Sequence, residues 1–216
     1  MRALERNHFE VVNFFLEQKD FDITAVNEDG DTALHIAALQ DNDDALAKLL
    51  TRSEPIKMGD EKYPIKKYLL ARCDSAMVNQ QDKATRTPLY WAADSSVKCV
   101  RVFLSDSRTD PNIAANYNIF RNTPLTLAVK CHRLDIVELL LRDERTDPNI
   151  KDCTEPNINV SSDGNTPLMA AIKANQVDIV KLILSDPRVN LDCEGAEEGH
   201  PELAKLVEEE RERRNA

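Results

Sequence analysis

Arg121-Asn122-Thr123-Pro124-Leu125-Thr126-Leu127-Ala128 decides the fold of this chain, because the phrase returns. It recurs as Gly164-Asn165-Thr166-Pro167-Leu168-Met169-Ala170-Ala171 and as Thr87-Pro88-Leu89-Tyr90-Trp91-Ala92. With Ala in place of Pro, it recurs again as Thr32-Ala33-Leu34-His35-Ile36-Ala37. Self-similarity of this kind marks a repeat array. Thr is a good N-cap, because its hydroxyl takes up an orphan backbone N–H of the first helical turn. Pro suits the first helical position, where its missing N–H costs nothing. Small pairs follow (Ala37-Ala38, Ala92-Ala93, Ala170-Ala171), and small residues let a neighbouring helix lie close. Each phrase therefore starts a short helix that must pack against another.

A second pattern trails each phrase. Leu134-Asp135-Ile136-Val137-Glu138-Leu139-Leu140-Leu141 follows Thr123, and Val177-Asp178-Ile179-Val180-Lys181-Leu182-Ile183-Leu184 follows Thr166. Val97-Lys98-Cys99-Val100-Arg101-Val102-Phe103-Leu104 follows Thr87. Apolar residues at i, i+3, i+4 and i+7 make each a second, more buried helix. Links rich in Asp, Pro and Asn come next: 106–112, 143–149 and 186–190. Those residues supply turn chemistry. The unit is helix, turn, helix, loop.

These residues resemble the ankyrin repeat, whose pattern centres on Thr-Pro-Leu-His-x-Ala. Thr32–Ala37 keeps the His, and the passage from Val78-Asn79 to Thr87-Pro88-Leu89 is similar to the family's finger-to-helix passage. The resemblance covers nearly the whole chain. It implies an all-α ankyrin-repeat solenoid of helix-turn-helix units with hairpin-like finger loops. About four full repeats are expected, with partial N- and C-terminal capping repeats.

At 216 residues the chain has room for one or two globular domains, but an array counts as one continuous solenoid. Aromatic residues are only 5% of the chain, which suits a thin two-layer stack of Leu, Ile, Val and Ala. The net charge of −10 argues against a general affinity for nucleic acid or anionic membrane, since both need a basic surface. Cys73, Cys99, Cys131, Cys153 and Cys193 are scattered and odd in number, which reads as free thiols in a reducing, cytoplasmic compartment. No apolar run reaches 18 residues, and the N-terminus has no apolar signal region. The sequon Asn159-Val160-Ser161 then reads as chance.

The boundaries follow from the spacing. Thr32 to Thr87, Thr87 to Thr123 and Thr123 to Thr166 span 55, 36 and 43 residues. Against a period of about 33 these leave roughly 22, 3 and 10 extra residues. The divisions are a partial repeat at 1–23, a repeat with a helical insertion at 24–79 (insertion 41–77), and repeats at 80–112 and 113–149. A repeat with a long finger covers 150–190 (extra residues within 150–163), and a C-terminal cap covers 191–216. Phe9–Leu16 aligns with Leu134–Leu141, so 1–23 is either a natural half-repeat or the cut end of a longer protein. Within the insertion, Asp43–Leu50 suits a second helix. Tyr63–Arg72 suits that place better, because Leu69 to Asn79 has the same separation as Leu139 to Asn149. Three helices joined by the loop Ser53–Lys62 are therefore preferred. The three extra residues of the next finger put Tyr117, Ile119 and Phe120 at or near a hairpin tip. The last helix runs from about Pro201 to Arg213 with a wholly polar tail, as an array end requires.

Catalytic and metal patterns are absent from the sequence. His35 sits in the phrase, while His8, His132 and His200 fall at turns between helices, which suits structural roles. Cys131-His132 is adjacent and lacks the spaced arrangement of metal ligands. Five Gly residues form neither a P-loop nor Gly-x-Gly-x-x-Gly. No enzyme activity, metal or cofactor is expected. Trp91 stands where Ile36 and Leu127 stand in sister phrases, so it is expected in the core.

The resemblance implies that the fingers and the exposed side of each first helix line a concave, partner-binding groove. By position the groove shows Glu28, Asp29, Asp31 and Gln40, then Lys83, Arg86 and Asp94. Tyr117, Phe120, Asn122 and Lys130 follow, then Ser162, Asp163, Asn165 and Lys173. Exposed aromatics flanked by polar groups are typical interface anchors, which singles out Tyr117 and Phe120. The alternative for both is local core in the lengthened finger. The expected function is a non-enzymatic protein-binding module or adaptor, monomeric, whose acidic surface suits a partner with a basic patch. The rival reading is the targeting part of a larger protein, such as a host-directed effector whose catalytic segment is absent here.

Overall fold

The computed structural model describes residues 24–52, 75–117, 120–152, 164–193, 195 and 199–216. The expected N-terminal half-repeat (1–23), the insertion loop Ser53–Lys62, the helix expected at 63–72 and the extra residues 153–163 lie outside them. The chain divides into two compact units, Met1–Asp110 and Pro111–Ala216.

In the first unit α1 (Ala33–Leu39), α2 (Asp43–Arg52), α3 (Ser75–Val78), α4 (Pro88–Ser95) and α5 (Val97–Ser105) follow in order. First helices α1 and α4 pack on each other, second helices α2 and α5 do the same, and each first helix packs on its own second helix. Asp43–Arg52 thus occupies the second-helix place of its repeat. In the other unit β1 (Ala115–Tyr117) and β2 (Phe120–Asn122) precede α6 (Pro124–Lys130), α7 (Leu134–Arg142), α8 (Pro167–Lys173), α9 (Val177–Leu184) and α10 (Pro201–Asn215). The same two layers recur there, α6 on α8 and α7 on α9, with α10 laid on α9. Helix α10 runs two residues beyond the expected Arg213.

Each first helix starts as its sequence dictates. Thr32, Thr87, Thr123 and Thr166 are extended N-caps whose hydroxyls accept from the backbone N–H three residues on. Pro88, Pro124 and Pro167 fill the first turn. Ala37, Ala38, Ala92, Ala93, Ala128 and Ala171 have no exposed surface, so neighbouring helices approach closely at these points. The second helices bury Leu46 and Leu49, Val100 and Phe103, Ile136 and Leu140, and Ile179 and Ile183. Removing these side chains from water, worth about 0.8 kcal/mol per buried CH₂, is the main force holding the layers together.

Three helix–helix turns pass through a left-handed residue at the same place: Asp41, His132 and Asn175. Asp, His and Asn tolerate that conformation better than other side-chain-bearing residues. The Thr87 repeat is one residue shorter there and crosses through the extended Ser96, whose hydroxyl caps α5 at the Cys99 N–H. Gly30 has φ +83, and a Cβ there would sit 3.0 Å from the Lys83 nitrogen. Only glycine fits both the conformation and the space.

Two side-chain ladders join successive repeats. In the first, an Asn mimics a peptide group. The Asn79 amide donates to the Arg108 carbonyl and accepts from the Asp110 N–H. Asn112 does so with Arg145 and Asp147, and Asn149 with Arg188 and Asn190. In the second, an Asp-x-Arg pair ends three of the second helices, α5, α7 and α9: Asp106–Arg108, Asp143–Arg145 and Asp186–Arg188, each closed at 2.6 Å. The guanidinium groups of Arg108 and Arg188 then cap the preceding repeat. Arg108 donates to the Leu50 carbonyl, and Arg188 to those of Leu141, Asp143, Glu144 and Thr146. At the last repeat Arg214 of α10 takes over this task, donating to the carbonyls of Leu184, Asp186, Pro187 and Val189. The polar tail of α10 is thus a working cap.

Candidate functional site

The fingers and first helices carry the candidate site, one set in each unit. In the first unit the finger turn Asn27–Asp31 is held by Asn27, whose carbonyl oxygen accepts from the N–H groups of Asp29 and Asp31. Glu28 and Asp29 are exposed at its tip. The next finger docks on it: the Lys83 N–H donates to the Asp29 carbonyl at 3.0 Å, and the Lys83 ammonium reaches the Glu28 carbonyl. Glu28, Asp29 and Lys83 are therefore brought together. Gln40 caps the end of α1 through its N–H, and Asp94 is exposed on α4.

Arg86 is the best-fixed of the expected residues. Its Nε donates to Asp82 Oδ2 at 2.7 Å, and its guanidinium carbon lies 4.0 Å from the centroid of the Trp91 ring. The Trp91 indole N–H donates to the same Asp82 oxygen at 3.2 Å. The other Asp82 oxygen accepts from the N–H groups of Ala84 and Arg86. Burial opposes the Asp82 charge, but the Arg86 N–H, the Arg86 guanidinium and the indole outweigh it and hold the carboxyl below its usual range. Trp91 is consequently half-buried on the finger side, not in the helix core. Its ring carries a polar N–H that needs a partner, and Asp82 supplies one outside the helix stack.

His35 ties the same two fingers. Its Nδ1 accepts from the Thr32 N–H at 3.1 Å, closing a capping box, and its Nε2 lies 2.9 Å from the Arg86 carbonyl. Burial lowers its pKa below the ordinary 6.5. Cys99 is wholly buried in α5, and burial pushes its thiol up to about 11. Cys193 is buried and Cys131 exposed.

In the second unit Asn122 and Lys130 meet: the ammonium donates to the Asn122 carbonyl oxygen at 2.7 Å and to Asp152 at 2.8 Å. Lys173 likewise donates to Asn165 at 2.6 Å. Asp152, missed in the sequence, joins the two fingers. Its carboxylate accepts from Lys130 and the Asn165 N–H, its own N–H donates to the Asn165 carbonyl, and its carbonyl takes the Arg121 N–H. Tyr117 and Phe120 pair across the two-stranded finger as backbone partners, with Ala115 opposite Asn122. The side chains of Tyr117 and Phe120, together with Ile119, Ser162 and Asp163, lie outside the described residues. Among the described residues no three His, Cys, Asp or Glu side chains gather as metal ligands, and no helix is long and apolar enough to cross a membrane.

Capped first helices, buried second helices and bonded fingers define a helical repeat module with a polar finger face. The comparisons agree. Ankyrin-repeat models match residues 1–50, 57–152 (three copies) and 163–196. The chain belongs to the ankyrin-repeat family, whose members are generally non-enzymatic modules for protein–protein interaction. The crystal structure of EF0377, an ankyrin-repeat protein, superposes with a TM-score of 0.69 at 20% identity, covering 95% of this chain and 94% of that one. That likeness concerns the fold. No curated protein matches the sequence.

Proposed function

We propose that this chain is a non-enzymatic interaction module that holds a partner protein on the finger and first-helix face of its repeats. The observation that carries this reading is the fixation of that face: Arg86, Lys83, Lys130 and Lys173 are each held by fingers or neighbouring side chains before any partner arrives. Pre-fixed polar groups lose little entropy on binding, which is how a rigid scaffold gains affinity. The described side chains favour recognition over catalysis. Cys99, with its raised pKa, is a poor nucleophile at neutral pH, and both nitrogens of His35 are committed to the fold.

The net charge of −10 and the exposed Glu28 and Asp29 suit a partner whose overall surface is basic, mainly through faster encounter. We place the module in the cytoplasm, as a monomer, where its scattered thiols stay reduced. Tyr117 and Phe120, at the finger hairpin, are the proposed aromatic anchors. Capture from cell extract by the wild-type chain and by a Tyr117→Ala/Phe120→Ala variant tests this. The reading expects one dominant protein that the variant loses; equal recovery by both removes the site from that finger.

A further inference from the structure

We infer that Arg86, braced on Trp91, is the point at which this module reads a carboxylate side chain of its partner polypeptide. The inference rests on the protein-binding reading above and names the chemistry of one contact within it.

Arg86 is held on two sides. Asp82, whose side chain has no exposed surface, fixes Nε, and the Trp91 ring supports the guanidinium plane. Asp82 is fixed in turn by two backbone N–H groups and the indole. The arginine therefore has little rotamer freedom left to lose. A guanidinium offers five N–H donors in a planar fork. Nε uses one on Asp82, and the two terminal nitrogens have no acceptor among the described residues. The side chain keeps 23% of its surface exposed. Four donors on a pre-set plane are the matching half of a bidentate carboxylate contact.

The sister repeats show why this position differs. The residue before the capping Thr and the residue seven after it are Asn122 and Lys130 in one repeat, and Asn165 and Lys173 in the next. There the lysine bonds back to the asparagine, so the finger and helix satisfy each other. In the Thr87 repeat the same places hold Arg86 and Asp94, and Arg86 turns to Asp82 and Trp91 instead. The cation at this step is anchored at one edge and left with donors to spare. Asp82 offsets one positive charge of the finger, while Lys83 adds another beside it. Glu28 and Asp29 stand beside Lys83 at the neighbouring finger tip, so the contact is carried by the geometry of the Arg86 fork and not by an excess of local positive charge. The occupant is a single Asp or Glu within a partner segment that is otherwise neutral or basic.

Trp91 is the only tryptophan, so its emission reports on this contact directly. Linear peptides selected from a random display library on the wild-type chain would be titrated by fluorescence against wild type and Arg86→Lys, which keeps the charge and loses the fork. The expected peptides share an Asp or Glu. Replacing it by Asn or Gln weakens binding to wild type about tenfold or more, and to Arg86→Lys by less than about threefold. The swap also abolishes the Trp91 emission shift on the unaltered chain, a readout that stands even if Arg86→Lys unfolds. Selected peptides without an acidic residue, or a swap equally harmful to both proteins, overturn the assignment. Peptides that depend on Lys83 and Asp94 but ignore Arg86 overturn it while leaving the protein-binding reading intact. Selection of no peptide overturns both.

Discussion

His35 Nε2 lies 2.9 Å from the carbonyl oxygen of Arg86 and thereby joins two repeats through one ring. A carbonyl only accepts, so Nε2 carries the proton and Nδ1 receives the Thr32 N–H. Protonating Nδ1 would cost that bond and charge a buried ring. Burial lowers the folded pKa, so below the ordinary value of 6.5 the unfolded chain binds a proton that the folded chain refuses. Stability is therefore full above about pH 7 and falls as pH drops through 6.5 toward the lowered value. His35→Asn should cost about 1–3 kcal/mol at pH 7.5 and flatten the change between pH 7.5 and 5.5. Urea unfolding at the two pH values checks both, and an unchanged pH dependence would contradict the assignment.

Arg214→Met should loosen the end of the array. Four carbonyls of the α9 terminus and its loop lose the guanidinium, and only that of Asp186 keeps another donor among the described residues, the Val189 N–H. The side chain is a quarter exposed, so water replaces part of the loss and a cost of about 1 kcal/mol is expected. Hydrogen exchange should accelerate in α10 and at 184–189 while α6 and α7 stay protected.

Thr146 is buried, and among the described residues its hydroxyl has no hydrogen-bond partner. Val189 fills the same place in the next link. Thr146→Val should keep the shape and remove an unsatisfied polar atom, stabilising the protein by about 0.5–1 kcal/mol. A lower unfolding midpoint in the variant would contradict this.

Thiol reactivity should split by burial. Cys131 is exposed, whereas Cys99 and Cys193 are buried. The rise of the Cys99 pKa from 9.0 to about 11 alone cuts its thiolate at neutral pH about 100-fold. Iodoacetamide labelling with peptide mapping should mark Cys131 before Cys99 and Cys193, which follow only on unfolding.

Much of this architecture is legible residue by residue. Thr-Pro-Leu states where each first helix begins, and the caps at Thr87, Thr123 and Thr166 follow from local chemistry. The buried pairs of Ile, Val and Leu on the second helices follow from a 3.6-residue period. Trp91 is less legible, because helical phase shows that a position faces inward without saying what it faces. The Asp82 carboxylate that draws its indole out is nine residues upstream, in another element. The Asp-x-Arg links read locally as turns, yet Arg188 acts on carbonyls more than forty residues away. Asp152 escapes for the same reason: its partners Lys130 and Asn165 meet only once two fingers dock. The short Ser95-Ser96 turn is readable in principle, since Thr87 to Val97 is one residue shorter than the sister spacings.

A partner held by the fingers and first helices should shield them from solvent. Hydrogen exchange of the chain, alone and with the protein it captures from cell extract, tests this most directly. Added protection is expected at the finger backbones 27–31, 82–86, 115–117 and 120–122 and at α4 and α6, with the second helices α5, α7 and α9 unchanged. Protection confined to those second helices, with the fingers exchanging as in the chain alone, would contradict it.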